Sequence, residues 1–178
     1  VITTNIAVID TMKIKIQAQS LAKEWIDLVF NIRDTNLEKG LSWNCAFITP
    51  DAEAALQNHT VYAGQICGWT FAENTFFRVA LNTQGKILVA PTTTGDDFAA
   101  TFSANQLMKT TGSQYYTGEI LTYGQGSGSQ FARYISFTPV YQSDTALDTT
   151  KILKVTSHVL YQKGSIKGET TLESFIWD

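Results

Sequence analysis

Two histidines, His59 and His158, are the only imidazoles available for acid–base work, and about a hundred residues separate them. A Ser or Cys nucleophile needs a His and a carboxylate converging on it. In this chain only the fold could carry His158 to Asp148, Ser157 or Cys67. His158 falls on the polar side of an alternating stretch, so a solvent-facing residue is the expectation there. Asp96 and Asp97 follow Thr92-Thr93-Thr94-Gly95 and offer oxygens for a Ca²⁺ loop, but the spacing matches no EF-hand, and capping a helix is the commoner task of such residues. Gly124-Gln125-Gly126-Ser127-Gly128-Ser129 has phosphate-cradle spacing without the Lys or Thr that would complete it, and reads as a flexible loop. Asn58-His59-Thr60 fits the glycosylation triplet by chance. No catalytic residue, metal ligand or cofactor-binding residue is assigned, and the chain is not expected to be an enzyme.

The cysteines, Cys45 and Cys67, each lie in an apolar stretch with a Trp two positions away. Two buried free thiols are the expectation, with a disulfide as the alternative. Of the four tryptophans, Trp43 and Trp69 belong to apolar strands and read as core. Trp25 and Trp177 flank polar residues and are the candidate exposed aromatic contacts. Stacking on sugar rings is the chemistry an exposed Trp would offer, which makes a lectin-like carbohydrate-binding β-sandwich, or a receptor-binding virion domain, the alternative function.

The elements that must position these groups read as strands, because period-two alternation recurs along the chain. Met12, Ile14, Ile16 and Ala18 alternate with Lys13, Lys15 and Gln17, and Ile26, Leu28, Phe30 and Ile32 alternate with Asp27, Asn31 and Arg33. Both are expected as strands, although Leu21, Trp25 and Leu28 also allow a helix across residues 20–29. Thr49-Pro50-Asp51 opens a short helix through Leu56. Residues 76–90 form a hairpin around Gly85, and residues 96–108 contain a second short helix or a strand. Strands follow over residues 115–123, 131–141, 152–161 and 171–177. Eight or nine strands with one or two short helices make an all-β, antiparallel two-sheet sandwich of jelly-roll type, with residues 1–178 as a single jelly-roll domain.

Composition agrees. Apolar residues make up 44% and charged residues 16% of the 178 residues, so hydroxyls and amides must cover the surface. A net charge of −3 without a Lys or Arg run argues against a dedicated nucleic-acid or membrane surface. No stretch approaches the roughly 20 apolar residues that span a bilayer, and residues 1–7 lack the pattern of a signal peptide.

The length, the alternating strands, the helix expected after residues 41–48, the start at Val1 and the paired late strands at 131–141 and 152–161 together resemble a viral jelly-roll coat protein. Within that group the chain is most similar to the small coat proteins of picorna-like plant viruses, the secovirids. The resemblance implies release from a polyprotein and a structural subunit of an icosahedral, non-enveloped capsid enclosing an RNA genome. It also implies partners among like and sister coat chains, at most weak contact with encapsidated RNA, and residence in the virion, with host cytoplasm as the place of assembly. A basic arm is missing, since residues 1–19 hold only Lys13 and Lys15, and the chain ends at Trp177-Asp178 rather than on Gln or Glu.

Overall fold

The computed structural model describes residues 2–48, 67–81, 87–111, 119–122 and 127–178. Its first element is a helix, α1 (Ile2–Glu38), which overturns the two strands expected within residues 12–32. Alternation over seven residues fits either element, but a longer window separates them. Ile14, Ala18, Ala22, Trp25, Val29, Ile32 and Asn36 recur at helical spacing, and all are buried. No Gly or Pro occurs before Gly40, so nothing interrupts the run. Gly40, at φ +68°, then stops it. The Gly40 amide donates to the Leu37 carbonyl and the Leu41 amide to the Asn36 carbonyl, the paired bonds of a Schellman ending.

The rest is mostly antiparallel β structure, as expected. The strands are β1 (Cys45–Ile48), β2 (Cys67–Thr70), β3 (Thr75–Leu81), β4 (Ile87–Pro91), β5 (Gln106–Thr111), β6 (Glu119–Thr122), β7 (Ser127–Thr138), β8 (Tyr141–Gln142), β9 (Thr145–Ala146), β10 (Ile152–Lys163) and β11 (Ile166–Trp177). A second helix, α2 (Phe98–Asn105), settles the ambiguous stretch after Asp96. Asp97 is its N-cap, its carboxylate accepting from the Ala100 amide at 2.7 Å.

Seven strands form one sheet with the path β11-β10-β7-β3-β4, and β5 joins β7 beside β3 while carrying β6. Long β7 is shared lengthwise: residues 135–137 pair with β3, and residues nearer its start pair with β5. The expected hairpin at 76–90 is the β3–β4 pair, although Gly85 lies outside the described residues. The loop expected at 124–129 is strand from Ser127 onward. The helix expected from Thr49, the glycosylation triplet and His59 also lie outside the described residues.

Alternation on β7 and β10 divides the sheet into two faces. Phe131, Ile135 and Phe137 with Leu153, Val155 and Val159 face α1, whose Trp25, Val29 and Ile32 complete the main core and whose Ile14, Ala18 and Ala22 complete a second cluster. Ala132, Tyr134 and Leu160 face the other way, towards α2, through Phe102. Among the described residues, then, α1 covers one face of the large sheet, and Trp43 and Ala46 beside the small β1–β2 sheet join the same core.

Candidate functional site: the solvent face of the N-terminal helix

Strand and helix dimensions put α1 beyond the sheet it packs on. Thirty-seven residues of helix extend about 55 Å, whereas the twelve-residue strands β10 and β11 extend about 40 Å. The surplus of about 15 Å lies at the N-terminus, because Ile14 is the first buried residue that can be described and Asn36 is clamped at the other end. The Asn36 amide donates to the carbonyls of Trp43 and Cys45, tying the end of α1 to β1. Asp10 reaches back to Lys163 at the tip of β10 with a 3.2 Å ion pair, which marks where the sheet ends.

The solvent face of α1 around this junction carries a second apolar stripe. Val8, Ile9, Met12 and Ile16 are 48%, 64%, 59% and 65% exposed. At 100° per residue, Ile9, Met12 and Ile16 point about 160° away from the buried stripe of Ile14, Ala18 and Ala22. Further along, the same outer face turns polar with Ser20, Lys23, Asp27 and Asn31. Lys23 and Asp27 there form an exposed ion pair at 2.7 Å. Large aliphatic side chains are therefore set in water on one short length of helix, where Ile9, Met12 and Ile16 line a shallow hollow with Lys13 and Gln17.

Trp25 is not an exposed contact: it is fully buried, with the Arg133 guanidinium over its ring at 4.1 Å. Arg133 itself comes from β7 and is held by the Glu24 carboxylate at 3.3 Å. Trp177 is 50% exposed at the end of β11, with Arg33 over its ring at 5.5 Å and Phe175 exposed on the same face. Trp43 is core, its indole N–H donating to the Thr150 carbonyl at 2.7 Å. The side chain of Trp69 lies outside the described residues.

His158 is not simply solvent-facing. Its Nε2 lies 3.0 Å from Ser136 Oγ, its Nδ1 lies 2.7 Å from Glu169 Oε1, and the Tyr134 ring stacks on it at 4.5 Å. Burial first, and the Glu169 carboxylate second, push the Tyr134 phenol up to about 12. Beside it, the Lys154 ammonium and the Thr156 hydroxyl hold Glu173 below its ordinary value. The Ser–His–Glu order matches that of a hydrolytic relay. Ser136, however, sits in mid-strand between β3 and β10, where backbone N–H groups belong to the ladder and none is free to hold an oxyanion. The line is better described as a polar cross-strand brace. Sequence reading missed Ser136 and Glu169 because they meet His158 only through strand register. The thiol expectation is also corrected. Cys45 is disulfide-bonded, and the chain's other cysteine is Cys67.

No family model, curated protein or solved structure matches this chain.

Proposed function

We propose that this chain is a structural, self-assembling subunit whose N-terminal helix docks against neighbouring subunits through Ile9, Met12 and Ile16. The observation that carries this reading is the exposed stripe itself. Its side chains point away from their own sheet, and burying each in a subunit contact is worth about 1.5–3 kcal/mol. Joined head to tail, such contacts generate rings or open filaments, and closed by further symmetry they generate shells. An icosahedral coat around RNA, the form implied by the jelly-roll resemblance, is one version of this reading. The exposed apolar outer face of α1 favours assembly through helix–helix contact rather than through sandwich edges alone. No helix among the described residues is long and apolar enough to cross a membrane. The oxidised Cys45 favours assembly in an oxidising setting over host cytoplasm.

Ile9→Glu and Met12→Glu together should convert sedimenting assemblies into monomers while leaving the melting curve within about 0.5 kcal/mol of the parent, since neither side chain supports the core. Assemblies of unchanged mass would remove the helix from the interface.

The carbohydrate-binding reading retains one observation, the exposed Phe175 and Trp177 on one face of β11. Glycan binding that survives Trp177→Ala would end it.

A further inference from the structure

Among the described residues, β11 pairs only with β10, so one long edge of the seven-stranded sheet is open. Natural sheets blunt such edges with bulges, prolines, short strands or several lysines. This edge has none of these: twelve consecutive residues pair with β10 without a register shift, the strand contains no Pro, and Lys167 is its one lysine. A regular, unprotected edge is suited to being paired.

We propose that β11 pairs antiparallel with β11 of a second copy of this chain, about a two-fold axis through Thr170. The β10–β11 turn sets which groups are available. Lys163 and Ile166 close a two-residue turn at Gly164, φ +59°, so Ile166, Gly168, Thr170 and Leu172 direct their backbone groups at β10. Lys167, Glu169, Thr171 and Glu173 direct theirs outward, ready for a partner strand.

Charge then selects the register. With the axis at Thr170, Lys167 of each copy stands opposite Glu173 of the other, twice over, and Glu169 stands opposite Thr171. Moving the axis one residue to Thr171 sets Glu169 against Glu173 twice, a repulsive arrangement. The helices fit the same geometry. α1 packs across both β10 and β11, so at ordinary strand spacing its axis stands about 10 Å from that of its mate, a normal helix–helix distance. Leu172, 39% exposed beside the edge, lies opposite Gly168 of the other copy and is covered on pairing. This contact is separate from the exposed stripe of α1 and does not depend on it.

Thr170→Cys reads the edge directly. Two such cysteines would meet across the axis in a non-hydrogen-bonded pair with Cα atoms about 4.5 Å apart, close enough for a disulfide. Mild oxidation should yield a covalent dimer on a non-reducing gel, whereas Leu172→Cys, displaced from the axis in both copies, should not. Adding K167E to Thr170→Cys should abolish the dimer, and adding K167E with E173K should restore it. Thr171→Pro should block it as well while the fold is kept, because the amide it removes faces outward. A Thr170→Cys protein that stays monomeric, cross-links no better than Leu172→Cys, or ignores K167E overturns the proposal. Because the gel reads only the edge, loss of assembly through Ile9→Glu and Met12→Glu leaves the result intact.

Discussion

Arg133 shows what a single side chain does at the junction of helix and sheet. It is fully buried, yet its guanidinium has the Trp25 ring on one side and the Glu24 carboxylate at 3.3 Å, so its charge is compensated where it lies. Arg133→Met keeps most of the volume and removes the cation, and should cost about 2 kcal/mol in urea unfolding, the scale of a desolvated cation–π contact. Trp25→Ala should cost about 3–5 kcal/mol, because it also opens a cavity under α1. Ser157 is the reverse case: its hydroxyl is fully buried and has no hydrogen-bond partner among the described residues, so Ser157→Ala should be neutral or stabilising in the same assay. Tyr134 ties stability to alkaline pH. Its phenol ionises near 10 when unfolded and about 12 when folded, so its contribution is complete below pH 10 and is lost as pH rises towards 12. Melting temperatures from pH 9 to 12 should fall less steeply in Tyr134→Phe than in the parent.

At the scale of elements, the late strands were legible because both their faces carry information. Leu153, Val155 and Val159 are apolar and buried against α1, Lys154 and His158 are polar on the opposite side, and the structure places them so. A cap at Asp96 or Asp97 was legible because a carboxylate before an apolar run satisfies the free amides of a first turn, and Asp97 is the one that does so. α1 was misread where Lys13 and Lys15 separate Met12, Ile14 and Ile16. That local alternation comes from two apolar stripes on opposite sides of one helix, and a seven-residue window cannot tell two stripes from one strand face. The candidate site was hidden for the same reason, since Met12 and Ile16 were read on one face with Ile14 and Ala18, and only the latter two are buried. Trp25 was misplaced because its polar sequence neighbours, Glu24 and Asp27, lie on other sides of the helix. Gly40 can be tested at this scale: Gly40→Val should destabilise the chain by about 1–2 kcal/mol, because a β-branched residue pays to hold φ +68° at the end of α1.

For the whole molecule, the central claim is that this chain is one part of a larger assembly. Its described core is complete without a partner: helix, sheet and α2 bury one another's apolar faces, and the disulfide at Cys45 secures β1 covalently. Among the described residues, the large apolar side chains left exposed sit mainly on α1 (Val8, Ile9, Met12, Ile16 and Leu37) and on β11 (Leu172, Phe175 and Trp177), with Tyr141 apart, and β11 is also the open sheet edge. Both are surfaces of the kind that the proposed assembly would bury. The most direct measurement is the particle mass, with negative-stain images, of the protein from its native source. The account predicts particles of many subunits that fall apart when Ile9 and Met12 are made acidic. A monomer at every concentration, with no larger particle in the images, would contradict it.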